Sequence, residues 1–66
     1  MRLIKLKEVM DCTGLGRSSI YYHIGDGSFP KPVSLGARSV AWVQSEVEEW
    51  ILDRIGERDG ADRAAG

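Results

Sequence analysis

The sequence lacks the cysteines of a disulfide framework and the long apolar run of a membrane span. One cysteine among 66 residues cannot form an internal disulfide, which favours a reducing, intracellular compartment. No apolar run approaches the roughly 18 residues of a membrane helix. The N-terminus alternates apolar and charged residues and lacks the apolar block of a signal peptide. We therefore expect a cytoplasmic protein with one small domain and no membrane partner.

The patterns that enzymes and metal sites use are also missing. A domain of this size buries only about 60% of its unfolded surface, which leaves no room for an enclosed substrate cleft. Glu48 and Glu49 are adjacent, so on a helix they point in different directions and cannot form an acid–base pair. Cys12 and His23 fall far short of a zinc pattern, and no G-x-x-x-x-G-K loop is present. We expect no catalysis, no metal and no cofactor.

The sequence has no overall excess of positive charge: its formal net charge is −1. The charges are nevertheless unevenly distributed. Residues 1–43 carry six basic and three acidic side chains, whereas residues 44–66 carry three basic and seven acidic ones. Local charge rather than net charge sets the attraction to phosphate, so the first part of the chain suits a nucleic-acid partner.

The stretch from Thr13 to Ile24 predicts a tight turn followed by a short helix with two different faces. Ile20 and Ile24 are four residues apart, so they lie on one side and can anchor the helix in a core. The remaining side chains offer hydrogen-bonding groups and one fixed positive charge: Arg17, Ser18, Ser19, Tyr22 and His23. Such a helix suits the major groove of DNA, so we interpret residues 17–26 as the recognition helix of a helix-turn-helix.

A short first helix over residues 7–12 is predicted to precede this turn. Its apolar side chains form one stripe with i, i+3, i+4 spacing: Leu6, Val9 and Met10. Gly14 is well placed as the left-handed residue that ends the helix. Residues 1–6 are expected to be extended, with Leu3 turned inward.

A β-hairpin is predicted after the recognition helix. Residues 33–35 and 39–42 both alternate with period two, and the three residues between them include Gly36, which fits a hairpin turn. This hairpin is a candidate β-wing. Its polar or basic contributions are Lys31, Ser34, Arg38 and Ser39.

The last element is predicted to be the clearest helix. Ser45 and Glu48 form a capping box, in which each side chain can bond the amide of the other residue. An apolar stripe follows: Val47, Trp50, Ile51 and Ile55. Gly56 is expected to end this helix. Residues 1–55 would then form the domain, and residues 56–66 a flexible C-terminal tail.

These elements predict an α+β fold that is mainly α, with three helices and a small β-hairpin wing. The expected core consists of Leu3, Leu6, Val9, Met10, Leu15, Ile20, Ile24, Phe29, Val33, Trp42, Val47, Trp50 and Ile51.

Four stretches carry a family resemblance in their order and spacing: residues 2–9 (RLIKLKEV), 13–21 (TGLGRSSIY), 29–33 (FPKPV) and 42–51, which hold Trp42 and SEVEEWI. Over residues 1–55 the chain resembles the AlpA family of phage- and prophage-encoded DNA-binding regulators. The resemblance implies the winged helix-turn-helix of the MerR-like excisionases. It also implies that helix 17–26 enters the major groove and that wing 31–42 reaches the adjacent backbone or minor groove.

The candidate DNA-binding residues are Arg17, Ser18, Ser19, Tyr21, Tyr22, His23, Lys31, Ser34, Arg38 and Ser39. Arg17 leads, because arginine can bond guanine bidentately; a base contact and a phosphate contact both stay open, as does an ion pair within the protein. Ser18 and Ser19 could instead cap the helix. Tyr21 could be half buried, and Lys31 and Arg38 could belong to a merely solvated hairpin.

We predict a sequence-specific regulator of transcription that binds double-stranded DNA of a phage or prophage. An excisionase that bends DNA is the alternative, and a protein-interaction adaptor on the same fold is a rival of another class. One small module buries only about 600–1,000 Å², so further copies on repeated sites are expected. An integrase or RNA polymerase is a candidate partner. The expected location is the bacterial cytoplasm, on the nucleoid when bound to DNA.

Overall fold

The computed structural model describes the backbone of residues 1–65 and the side chains of residues 1–60. In chain order the elements within this range are β1 (Leu3–Ile4), α1 (Leu6–Thr13), α2 (Arg17–Gly25), β2 (Val33–Gly36), β3 (Ser39–Val43) and α3 (Gln44–Ala65). Three helices with a β2–β3 hairpin confirm the predicted winged helix-turn-helix. No helix in this range is both long enough and apolar enough to cross a membrane.

The turn between α1 and α2 is fixed by its own hydrogen bonds. Gly14 has a left-handed backbone (φ 74°), as predicted, and its N–H donates to the carbonyl of Met10 at 2.8 Å. Thr13 adds two bonds: its hydroxyl donates to the carbonyl of Val9 at 2.8 Å and accepts from the amide of Leu15 at 3.2 Å. These bonds satisfy backbone groups at the end of α1 and fix where α2 starts.

The register of the sheet decides which aliphatic side chains reach the core. The strand order is β1-β3-β2, with both pairs antiparallel. Ile4 lies opposite Trp42, and both are buried, with relative exposures of 2% and 0%. Leu3 lies opposite Val43, and Val33 opposite Ala41, on the other face of the sheet.

The predicted core is therefore wrong at two positions. Leu3 and Val33 are 40% and 39% exposed, and Ile4 rather than Leu3 points inward. Side chains alternate along a strand, so a register error of one residue exchanges the two faces. Every other predicted core residue is either buried in the hydrophobic core or partly buried and packed against it. The core also contains Ile4, and Val40 packs against it.

Helix α3 differs from the prediction at both ends. It begins at Gln44, whose amide donates to the carbonyl of Arg2 at 2.8 Å, so Ser45 lies in the first turn rather than at the cap. It also continues past Gly56 to Ala65, so the predicted end at Gly56 is wrong. A glycine inside a helix costs only about 1 kcal/mol relative to alanine, which the flanking helix can tolerate. The domain boundary at residue 55 and the flexible tail stay predictions; the side chains of residues 61–66 lie outside the described part of the structure.

Candidate nucleic-acid interface

The first turn of α2 faces solvent, while the next turn is held in the core. Arg17, Ser18 and Ser19 are exposed, and Ile20 is completely buried. Gly16 occupies the N-cap position with an extended backbone, and no side chain among residues 1–60 caps the helix. The capping role considered for the two serines is therefore not observed. The uncapped amides and the two hydroxyls are available to an external acceptor such as phosphate.

Arg17 lies beside an aromatic ring rather than an acid. Its guanidinium carbon is 5.9 Å from the centroid of the Tyr21 ring, and no acidic side chain of residues 1–60 forms an ion pair with it. Tyr21 is 41% exposed, and its ring meets the buried Trp42 ring edge to face, with centroids 6.4 Å apart. The positive charge at the start of α2 is thus not neutralised within the described side chains.

The next two candidates on α2 have different surroundings. Tyr22 is 69% exposed, so its hydroxyl is accessible. His23 is half-buried, and its Nδ1 lies 3.2 Å from the Ser28 hydroxyl and 3.9 Å from the Asp26 carboxylate. The His23 ring also lies beside that of Trp50, with centroids 6.2 Å apart. His23 is therefore engaged within the protein, at the end of α2, and is a weaker candidate for a DNA contact than Tyr22.

A hydrogen-bonded turn closes α2. The amides of Ser28 and Phe29 both donate to the carbonyl of His23, at 2.9 and 3.2 Å, and the Ser28 amide also donates to Asp26 Oδ1 at 2.9 Å. Hydrogen bonding by the Ser28 hydroxyl and then by its amide lowers the pKa of the Asp26 carboxyl, and His23 adds a smaller effect in the same direction. The turn therefore favours an ionised Asp26 and fixes the chain that leads from α2 to the wing.

The wing presents one basic residue at its tip. The turn between β2 and β3 consists of Ala37 and Arg38, one residue shorter than predicted, because Gly36 ends β2. Arg38 and Ser34 are exposed. Ser39 is half-buried, and its hydroxyl accepts a hydrogen bond from Lys5 Nζ at 2.8 Å. The Ser39 hydroxyl is thus already engaged within the protein, by a lysine that the sequence does not place near the wing.

Lys5 could not have been found from the sequence pattern. It precedes α1 and lies 34 positions from Ser39, so only the pairing of β1 with β3 brings the two together. Lys31 has acidic surroundings instead, because it borders a shallow depression together with Glu46, Glu49 and Asp53 of α3. These carboxylates make the potential around Lys31 less favourable to phosphate than the potential around Arg17.

Comparison with known proteins adds an independent observation. The family model described as "Prophage CP4-57 regulatory protein (AlpA)" matches residues 2–55. An uncharacterized protein of Enterobacteria phage P4, ORF88, is 48% identical over 62 residues, which cover 92% of this chain and 70% of that protein. The DNA-binding transcriptional activator AlpA of Escherichia coli (strain K12) is 35% identical over 60 residues, which cover 82% of this chain and 86% of that protein. The matched region contains both helices of the helix-turn-helix, the wing and the first half of α3.

Proposed function

Because this chain belongs to the AlpA family of prophage regulatory proteins, we propose that it regulates transcription by binding a specific double-stranded DNA sequence. The observation that carries this proposal is the pair of environments on α2. Arg17 and its serine neighbours are exposed at an uncapped helix start, whereas Ile20 directly after them is fully buried. Such a helix can enter the major groove without losing its place in the core.

Within this proposal, Arg17 reads a base and its neighbours position the helix. The guanidinium can bond O6 and N7 of guanine together, a pairing worth about 1–3 kcal/mol of discrimination. Ser18, Ser19 and the first amides of α2 bond phosphate oxygens, which fix register but carry no sequence information. The Tyr22 hydroxyl, about one turn further along α2, bonds another phosphate of the DNA backbone.

The wing supplies the second contact. Arg38 at its tip approaches the adjacent backbone or minor groove, and Ser34 lies on the same hairpin. Lys5 donates a hydrogen bond to Ser39, which directly follows Arg38 near the tip of the wing. Lys31 contributes less in this arrangement, since three carboxylates of α3 lie near it.

Regulation of transcription is preferred here over excision because the relative from Escherichia coli is described as a transcriptional activator. A single module of this kind buries only about 600–1,000 Å² on DNA. We therefore expect several copies on repeated sites, with RNA polymerase as the protein partner.

The test starts with selection of bound sequences from random duplexes, followed by anisotropy titrations of the selected site. Arg17→Ala should weaken binding and abolish the base preference at one position. Arg58→Ala is the matched control, because Arg58 lies on α3 and is hydrogen-bonded to Asp59; it should change neither. If the protein makes about four phosphate contacts, a plot of log Kd against log salt concentration should have a slope near 3.6 in magnitude. A protein that selects no sequence and shows no salt dependence would contradict the proposal and favour an adaptor.

A further inference from the structure

A chain of aromatic contacts connects the start of α2 with the centre of the core. The Arg17 guanidinium carbon is 5.9 Å from the centroid of the Tyr21 ring, and Tyr21 meets Trp42 edge to face at an interplanar angle of 67°. Trp42 is completely buried, and its indole N–H donates to the carbonyl of Pro30 at 3.0 Å. Through these contacts the core supports a side chain that lies on the surface.

We propose that Tyr21 is a positioning residue, which sets base specificity by holding the Arg17 guanidinium in place before DNA binds. This inference rests on the proposed function, in which Arg17 reads a base. It assigns Tyr21 a role different from the direct DNA contact that the sequence predicted. The hydroxyl of Tyr21 is not needed for this role, whereas the aromatic ring is.

The physical reason lies in the flexibility of arginine. A free arginine side chain populates many rotamers and loses that freedom when a base fixes it. Arg17 and Tyr21 are four residues apart on a helix, so their side chains are neighbours. A cation near an aromatic ring is attracted to it, and a planar guanidinium can stack on it, which restricts the orientations of the bonding fork.

The two tyrosines of α2 allow this role to be separated from general aromatic effects. Tyr21 is 41% exposed and contacts Trp42, so its ring is itself held in place. Tyr22 is 69% exposed, and its ring lies 5.5 Å from that of His23. The positioning role therefore belongs to Tyr21, and Tyr22 provides a matched comparison.

The experiment compares two duplexes: the selected duplex, and a variant of it that is changed only at the base pair that Arg17 reads. The specificity ratio is the Kd for the variant duplex divided by the Kd for the selected duplex. Tyr21→Phe should keep this ratio and leave both Kd values unchanged. Tyr21→Leu should lower it about two- to fivefold, as expected for loss of an exposed cation–π contact. In the Arg17→Ala background, Tyr21→Leu should lower it no further. Tyr22→Leu should weaken binding to both duplexes equally and leave the ratio unchanged.

A second measurement does not depend on DNA. In the free protein, the NMR signals of the Arg17 δ-methylene protons should be shifted upfield by the Tyr21 ring. Tyr21→Phe should keep that shift, and Tyr21→Leu should remove it. Tyr21→Met is a second non-aromatic variant in case Tyr21→Leu does not melt cooperatively.

The outcomes separate this inference from the proposed function. If Arg17→Ala lowers the ratio but neither Tyr21→Leu nor Tyr21→Met does, the positioning role is wrong and base reading by Arg17 stands. If Tyr21→Phe weakens binding to every duplex equally, the hydroxyl contacts phosphate and the inference is overturned. If Arg17→Ala leaves the ratio unchanged, the proposed base reading fails, and the inference fails with it.

Discussion

Trp42 donates its indole N–H to the carbonyl of Pro30, 3.0 Å away, and thereby joins the centre of the core to the segment that leads into the wing. The two residues are twelve positions apart, and Trp42 is fully buried on the central strand of the sheet. Because proline has no backbone N–H, the segment cannot donate a backbone hydrogen bond at position 30. The bond from Trp42 is therefore a main constraint on where the hairpin starts.

We predict that Trp42→Phe destabilises the protein more than Trp50→Phe does. The first change leaves the Pro30 carbonyl without its partner, at a cost of about 1–3 kcal/mol beyond the lost packing. The Trp50 indole nitrogen is buried and has no hydrogen-bond partner among residues 1–60, so the second change removes no bond. Urea denaturation of both variants measures the difference. Equal losses of unfolding free energy would mean that the bond to Pro30 contributes little.

The register of β1 makes a prediction about two neighbouring residues. Ile4→Ala should cost about 2–5 kcal/mol, as expected when a buried aliphatic side chain is removed. Leu3→Ala should cost less than about 1 kcal/mol, because the Leu3 side chain is 40% exposed. Chemical denaturation distinguishes the two readily. The opposite order of effects would show that the sheet face has been assigned the wrong way round.

This pair also shows where sequence reasoning was sufficient and where it was not. The apolar spacings predicted α1 and α2 well: Leu6, Val9 and Met10 follow i, i+3, i+4 spacing, and Ile20 and Ile24 follow i, i+4 spacing. β1 has two residues, Leu3 and Ile4, and both are aliphatic, so the sequence contains no alternation that selects one register. The facing residue Trp42, which lies on another strand, decides between them.

The candidate site shows the same division: its local features could be predicted from the sequence, and its long-range contacts could not. Exposure of Arg17 followed from the helical position of Ile20, which is a local property. The hydrogen bond between Lys5 and Ser39 depends on strand pairing across most of the domain, so no local pattern contains it. The engagement of His23 by Ser28 depends on the shape of the turn after α2, which a sequence rich in glycine leaves open.

The two glycines beside the turn should respond differently to alanine. Gly14→Ala should cost about 1–2 kcal/mol, because its backbone is left-handed at φ 74°. Gly16→Ala should cost less, since its backbone is extended and a Cβ there would meet no atom within 4 Å; its cost comes from alanine being a poorer N-cap than glycine. Gly16→Ser should stabilise the helix by a few tenths of a kcal/mol by supplying the missing cap. Thermal melts measure all three, and equal destabilisation by both alanines would contradict the assigned turn geometry.

The turn after α2 predicts a pH dependence with a definite sign. The pKa of Asp26 is lowered in the folded protein, mainly by hydrogen bonding from Ser28, so the ionised form stabilises the fold. This contribution is fully present above the unfolded-state pKa, near 3.8, and is lost as pH falls through the lower folded-state value. Asp26→Asn should therefore be less stable than the parent at neutral pH, and the two melting temperatures should converge as the pH falls below the folded-state pKa of Asp26.

Asp11→Asn is the control for this comparison, because Asp11 is exposed on α1 and takes no part in the hydrogen bonds of the turn after α2. The difference in melting temperature between this control variant and the parent should be similar at neutral pH and below the folded-state pKa of Asp26. A difference between Asp26→Asn and the parent that stays constant across the pH range would argue against an ionised, hydrogen-bonded Asp26 in the turn.

Removal of residues 56–66 tests whether the DNA-binding unit ends where the family match ends. The proposed contacts lie on α2 and the wing, and the family model matches residues 2–55, so the shortened protein should retain its selected site and its salt slope. The deletion removes two basic and three acidic side chains, so the formal net charge rises from −1 to 0 and non-specific affinity should not fall. Stability should decrease slightly, because the deletion removes Arg58, which lines one depression together with Cys12 and Thr13, and Glu57, which forms an ion pair with Arg54. A shortened protein that melts cooperatively but no longer discriminates between duplexes would place part of the recognition function in the second half of α3.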